Sequence, residues 1–366
     1  MVPKAGRVMN ETKVVQSEWP LEVQREPVFP STRFQGSKAK LVDWIWDSIR
    51  DLNFDTALDA FGGTGAVSHL LKRKGKEVTY NDSLRFNYLI GLALIENSKE
   101  VLSEEEVEWL LEHHKGIDYP TTIQNLFHEI YYTYEENAWL DQVVTNISQM
   151  ANPYKQALAY FALFQACIIK RPFNLFHRKN LYIRFTDVKR SFGNKVTWDK
   201  PFDQWFRHFV FEANRAVFEN GRENKALNLD PCQIPGVFDL VYIDTPYISS
   251  KGVGVDYLHF YHFLEGLTMY DQWPSRIDYR RKHRPLRTIK SEWVDKDRIH
   301  AAFARLFDRY KNSILVVSYR DNGIPSEREL FDLLSQHKKK VIEVKKKNYK
   351  YVLSTYSSCE LLFIAP

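Results

Sequence analysis

Read for where its apolar side chains recur, the chain switches between two periods. From Lys38 to Ile49 apolar residues return at helical spacing through Leu41, Trp44, Ile45 and Ile49, which predicts a helix opened by the loop Phe34-Gln35-Gly36-Ser37-Lys38. A short apolar run from Thr56 to Phe61 predicts a strand, Gly62-Gly63-Thr64-Gly65 a tight turn, and Val67, Leu70 and Leu71 a second helix. Another strand, Glu77 to Tyr80, stops at Asn81-Asp82. Strand, glycine turn, helix, strand and acid is the order of a nucleotide-binding unit in an α/β sheet.

From about Glu100 to Asp230 the pattern turns to helical segments rich in Tyr, Phe and Trp, followed by a basic, turn-containing stretch from Lys170 to Lys200. This reads as an inserted module. The α/β pattern then resumes. Val237 to Ile243 is a continuous apolar run of the kind found in strands buried on both faces, and Ser313 to Ser318 is another. Lys340 to Val344 and Glu360 to Ile364 predict a closing hairpin. Residues 1–30, with Pro20, Pro27 and Pro30, read as an extended lead-in with no assigned function. The division expected is therefore a lead-in over 1–30, an α/β domain over 31–99 and 231–366, and an insertion over 100–230.

Composition narrows the class. An apolar fraction of 44% and a charged fraction of 27% are those of a folded globular protein, and a net charge of +5 is too small to name a partner. Cys167, Cys232 and Cys359 are odd in number and far apart, which fits neither a disulfide framework nor a zinc site; a reducing cytoplasm and no metal are expected. The first 30 residues lack an apolar run of signal-peptide length, and the most apolar stretch, Tyr160 to Ile169, is too short to span a bilayer. Neither secretion nor membrane insertion is expected.

Two motifs carry candidate chemistry. In Asp59-Ala60-Phe61-Gly62-Gly63-Thr64-Gly65 the glycines let backbone approach a ligand, and Asp82, at the tip of the next strand, suits the two ribose hydroxyls of an adenosine. Ser68 stands where a dinucleotide fingerprint would have its third glycine. Alone, such a turn fits many α/β domains. The second motif, Asp244-Thr245-Pro246-Tyr247, follows the strand Val237 to Ile243, and ligands of open α/β sheets bind beyond the carboxyl ends of strands. An exocyclic ring amine is a poor nucleophile because its lone pair is delocalised. The Asp244 carboxylate and Thr245 carbonyl can hold both amine protons and free that lone pair, Pro246 stiffens the turn, and Tyr247 offers a face for an extruded base. The bland alternative is an ordinary turn after a buried strand.

In order and content these residues resemble the alpha group of adenine-specific DNA methyltransferases, the Dam-like D12 class. That family runs lysine-containing loop, Phe-x-Gly-x-Gly, target-recognition module, Asp-Pro-Pro-Tyr; here the same order is Phe34 to Lys38, Phe61 to Gly65, an insertion, and Asp244 to Tyr247. Ile168 to Arg178 is similar to the family's stretch before target recognition. Thr245 departs from the family's proline, at a position thought to act through its carbonyl.

The resemblance implies a class I, Rossmann-like S-adenosylmethionine-dependent methyltransferase fold with an inserted, partly helical target-recognition module. It implies transfer of a methyl group to N6 of a flipped-out adenine in double-stranded DNA, in a restriction-modification or related system; a cognate endonuclease is left open as a partner, and action as a monomer is the default expectation. Phe34, Lys38, Asp59, Phe61, Gly63, Gly65, Asp82 and Asp244 would meet the cofactor, with Lys38 pairing to its carboxylate. Asp244, Thr245, Pro246 and Tyr247 would meet the target base. For DNA, Lys170, Arg171, Arg178 and Lys179 lie in a basic stretch interleaved with Phe173, Phe176, Tyr182 and Phe185. Arg280, Arg281 and Arg284 lie in a second stretch, Arg276 to Lys290, expected to be a mobile loop that orders on DNA. The runs Lys338 to Lys340 and Lys345 to Lys347 read as solvated surface. N4-cytosine methylation, methylation of RNA or of a protein glutamine, and a non-catalytic binding module remain as rival readings.

Overall fold

The computed structural model describes residues 26–186, 195–287, 289–339, 342–349 and 358–366. Most of the lead-in (1–25), part of the first basic stretch (187–194) and the expected strand start at Lys340 and Val341 lie outside them. Of the lead-in, Glu26 to Pro30 is irregular but packed, with the Val28 amide donating to the Arg215 carbonyl and Phe29 against His69.

Seven strands form one sheet: β1 (Thr56–Asp59), β2 (Glu77–Asn81), β3 (Lys225–Leu227), β4 (Leu240–Ile243), β5 (Ile314–Arg320), β6 (Glu343–Tyr349) and β7 (Ser358–Ala365). Their order is β3-β2-β1-β4-β5-β7-β6. The first five run parallel, whereas β7 lies antiparallel between β5 and β6. Alternate residues of one strand serve opposite faces. Ala57, Tyr242, Val316 and Leu362 join one hydrophobic core, and Leu58, Val241, Ile243, Val317 and Phe363 join the other.

Helices cover both faces. Before the second half of the sheet come α1 (Val42–Ile49), α2 (Ala66–Arg73) and α3 (Arg85–Gly91), the last running into a π-helical turn, Leu92–Glu96. The helical stretch holds α4 (Glu104–Leu111), α5 (Thr122–Leu126), α6 (Tyr134–Ser148), α7 (Pro153–Ile169), α8 (Tyr182–Phe185), α9 (Lys195–Asp199) and α10 (Phe202–Asn214). After β4 come α11 (Tyr257–Leu267), α12 (Trp273–Arg276), α13 (Ile299–Arg309) and α14 (Glu327–His337). Several starts follow from sequence: Ser103 with Glu106, Thr133 with Glu136 and Ser326 with Glu329 make reciprocal capping boxes.

Two expectations are corrected here. The helix read from the apolar period over Lys38 to Ile49 begins only at Val42, so the loop that carries Lys38 runs on to Leu41. Within 100–230, Lys225–Leu227 pairs with β2 and is part of the sheet. The helices before it also share the core of the sheet face that carries Ala57 and Tyr242: Phe164 of α7 and Phe206 of α10 belong to that cluster.

What positions the site is the reversal of strand order between β1 and β4. From β1 the chain moves outward to β2 and β3; from β4 it moves the other way to β5. The carboxyl ends of the two inner neighbours therefore open a crevice. Among the described residues, no helix is long and apolar enough to cross a membrane, and no cluster of His, Cys, Asp and Glu could hold a metal ion. All three cysteines are free thiols.

Candidate active site

A cavity of about 320 Å³ occupies that crevice. Phe34, Lys38, Asp59, Phe61, Gly63, Asp82, Asp244 and Pro246 line it, so the lysine loop, the glycine turn, the β2 acid and the β4 turn do converge. Gly65 stands just outside, as the left-handed residue that opens α2.

The glycine turn is shaped by Tyr80. Its ring lies so close to Gly62 that a Cβ there would fall 2.0 Å from it, and its hydroxyl lies 2.7 Å from the Gly63 carbonyl and 3.0 Å from that of Asn87. Burial holds the Tyr80 phenol well above its ordinary pKa, so it remains a donor. Asp82 accepts from the Gly63 amide at 3.0 Å and from the Leu84 amide at 2.9 Å, which fixes its carboxylate at the cavity edge. Burial still pushes that carboxyl upward, against these hydrogen bonds.

Asp59, at the tip of β1, is 1% exposed and accepts from Ser68 Oγ at 2.6 Å. Burial outweighs that hydrogen bond and pushes its carboxyl up to about 7. On the apolar side Phe34 stacks on Phe86 at 5.8 Å, and Phe61 meets Trp293 edge-on at 4.8 Å. The Tyr261 hydroxyl of α11 accepts from the Gln35 amide at 2.7 Å and so holds the lysine loop to that helix.

Beside the β4 turn lies a buried ionic cluster. Lys38 Nζ stands 3.0 Å from Asp244 Oδ1 and 3.0 Å from Glu360 Oε1. The Tyr247 hydroxyl accepts from Lys38 and reaches Asp244 Oδ1 at 3.0 Å and Glu360 Oε1 at 2.9 Å. Ser318 Oγ donates to the same Glu360 oxygen. Burial alone would pull the Lys38 ammonium down, but the two carboxylates push it up to about 12. Burial pushes the Asp244 carboxyl up; Lys38 opposes that shift and Glu360 adds to it.

Two roles read from sequence change accordingly. Lys38, expected to meet a ligand carboxylate, is already paired with two protein carboxylates. Tyr247, expected to present a face to a base, is 7% exposed, packed edge-on against Tyr319, with its hydroxyl inside the cluster. Thr245 is buried. Sequence reasoning missed Glu360, Ser318, Asn87, Tyr257 and Trp293. For Glu360 a signal existed: a lone acid opening the apolar run Glu360 to Ile364 must be paired if buried.

The basic stretches divide. Lys170 is 1% exposed, its ammonium 2.9 Å from Glu136 and 2.8 Å from the Trp198 carbonyl. Arg171, equally buried, donates to the Tyr131 and Leu175 carbonyls and to Asn180. Both are satisfied inside the protein, which removes them from the expected DNA-contacting set. Arg178 and Lys179 are exposed, as are Arg280 and Arg281, which pair with Asp278.

Arg284 instead donates to the Leu126 carbonyl. The stretch expected to be a mobile loop contains a bridged turn over Arg276 to Arg287: Ile277 pairs with Leu286, and the Arg287 amide donates to the Arg276 carbonyl at 2.7 Å. The Tyr131 hydroxyl lies 2.6 Å from the Phe176 carbonyl and 2.7 Å from that of His283, which ties the two stretches to one spot. Of the lysine runs, Lys338 is buried and donates to the Lys311 carbonyl, contrary to a solvated role, and Lys345 to Lys347 lie within β6.

A family model, D12 class N6 adenine-specific DNA methyltransferase, matches residues 34–348. The chain is 28% identical over 323 residues to type II methyltransferase M2.HphI of Haemophilus parahaemolyticus, covering 86% of this chain and 90% of that protein. It is 28% identical to type II methyltransferase M.FokI of Planomicrobium okeanokoites and 26% identical to modification methylase StsI of Streptococcus sanguinis. Those alignments cover 83% and 87% of this chain but only 47% and 48% of the longer relatives.

Proposed function

The chain belongs to the D12 class of N6 adenine-specific DNA methyltransferases, and from that premise we propose how its residues carry the reaction. It is a site-specific DNA methyltransferase acting on N6 of adenine. The family match sets aside the N4-cytosine, RNA and protein-glutamine readings. We place the enzyme in a restriction-modification system with a cognate endonuclease, as a cytoplasmic monomer.

S-adenosylmethionine is the proposed donor, and the cavity suits it. Asp82, held by two backbone amides, has lone pairs left for ribose hydroxyls, Phe34 and Phe61 give apolar walls, and the crowding of Gly62 by Tyr80 keeps the turn free of side chains. When bound, this cofactor supplies a methyl group on a sulfonium sulfur. The strand order, with helices on both faces, supports a class I, Rossmann-like methyltransferase fold.

The catalytic work falls to the β4 turn. Lys38 and Tyr247 both engage Asp244 Oδ1. Oδ2 is the oxygen that accepts one amine hydrogen of the target adenine, and the Thr245 carbonyl accepts the other. With both hydrogens held, the nitrogen lone pair is released from the ring, and positioning together with preorganised electrostatics supplies the rate. Tyr247 acts through its hydroxyl by orienting Asp244.

The adenine reaches this turn extruded from the duplex. Helices α4 to α10, with 172–186 and 276–287, form the recognition face. There Arg178, Lys179, Arg280 and Arg281 contact phosphates beside the exposed aromatics Phe173, Tyr182, Phe185 and Tyr279.

The observation that carries this reading is the clamped Asp244 carboxylate at the crevice between β1 and β4. The test is transfer of labelled methyl groups to DNA, with the product identified after digestion to nucleosides. Asp244→Ala is expected to lose turnover by roughly a hundredfold or more while still binding DNA. Full turnover by that variant would overturn the assignment.

A further inference from the structure

We propose that Glu360 is a positioning residue for methyl transfer: fixed on β7 beside the Asp244 turn, it shares the Lys38 ammonium with Asp244 and so keeps Lys38 from competing with the target amine. The proposal rests on the reading of Asp244 as the amine acceptor.

Glu360 is completely buried, among Leu361, Leu362 and Phe363 of the same strand. A buried carboxylate is a costly way to fill space, because desolvation is offset only by good partners. Its partners include the Lys38 ammonium, the Tyr247 hydroxyl and the Ser318 hydroxyl across the β5–β7 pairing. Lys38 is equidistant, at 3.0 Å, from Glu360 and from Asp244. One ammonium therefore serves two carboxylates, and its pull on Asp244 is divided. Without the Glu360 charge, Asp244 becomes the only carboxylate among the described residues paired with Lys38. The ammonium then tightens on Asp244 Oδ1, which draws charge from the carboxylate and leaves Oδ2 a weaker acceptor for the amine.

The groups facing Asp244 are Lys38 from the loop before α1, Tyr247 in its own turn, Glu360 on β7, Asp59 at the tip of β1, Tyr242 on β4 and Tyr257 on α11. Of these, Glu360 is the like charge that raises the Asp244 carboxyl, while burial keeps Asp59 protonated up to about 7. Removing Glu360's charge lowers the Asp244 pKa and moves its titration to lower pH.

The test is Glu360→Gln, which preserves shape and an acceptor oxygen. Two readouts are expected to shift to lower pH: the acid limb of kcat/KM, and the carboxyl-carbon NMR titration of Asp244 in the enzyme alone, assigned by its loss in Asp244→Asn. At the pH plateau kcat is expected to fall on the order of tenfold with KM for DNA unchanged. Glu360→Asp keeps the charge and is expected to leave the titration in place while recovering part of kcat. A Gln variant with wild-type kcat, or one that loses activity with no movement of the titration, overturns the proposal.

Should the Gln variant not fold, Ser318→Ala, which strips a donor from the Glu360 carboxylate and leaves it a stronger competitor for Lys38, is expected to move both readouts by less and the opposite way, to higher pH; no movement overturns the proposal. If Asp244→Asn retains full turnover, the reading of Asp244 falls and this proposal with it. If that variant is inactive but Glu360→Gln behaves as wild type, only the present proposal falls.

Discussion

The ring of Tyr80 occupies the space that any side chain at Gly62 would need, with the nearest ring atom 2.0 Å from where a Cβ would stand. Gly62→Ala must therefore push Tyr80 away from the Gly63 and Asn87 carbonyls. Overpacking of this kind costs about 1–3 kcal/mol. Thermal unfolding should register that loss, and calorimetric titration with S-adenosylmethionine should show weakened binding. Tyr80→Phe, which keeps the ring and removes the donor, is expected to be milder in both.

Asp59 gives the protein a pH signature of unusual sign. Its carboxyl rises from an ordinary 3.8 to about 7 on folding, so between those values the folded chain holds a proton that the unfolded chain has released. Stability contributed at this site therefore falls as pH rises across that window. Asp59→Asn has no proton to lose, so between about pH 5 and pH 8 its stability relative to the wild type should rise by on the order of a few kcal/mol. Denaturant unfolding near pH 5 and near pH 8 checks this; a difference that does not grow with pH would contradict it.

Exposed and buried cations should separate by phenotype. Arg280→Ala with Arg281→Ala is expected to weaken binding to all DNA sequences and to reduce the slope of log affinity against log salt by about one for each phosphate no longer neutralised. Unfolding midpoints should stay near wild type. Binding curves over a salt series decide the matter.

Lys170 and Arg171 should behave in the opposite way. Arg171→Ala strands the carbonyls of Tyr131 and Leu175, and Lys170→Ala leaves Glu136 with Arg184 as its remaining ionic partner. Each is expected to destabilise by a few kcal/mol. The salt slope of DNA binding by the surviving folded protein should not change.

The contrast shows what the sequence could disclose. Both inner strands, the glycine turn and the Asp244 turn were legible because each is a local pattern: an apolar run followed by residues that punctuate it. The strand Lys225–Leu227 was not, since three residues are too few to show a period. Lys170 and Arg171 looked like surface cations because their burial depends on Glu136 and on carbonyls contributed by other segments. The burial of Tyr247 was not legible for the same reason: besides Asp244 in its own turn, its hydroxyl partners come from a loop 209 residues earlier and a strand 113 residues later.

The placement of β1 beside β4 also bears on how the molecule reaches its working state. Their neighbouring tips come from distant parts of the chain, so the loop between them must close before either wall of the crevice gains its opposite. Contacts of such long sequence separation form slowly and late. A fragment ending before β4 would lack both the strand that pairs with β1 and the wall that faces the turn around Gly62.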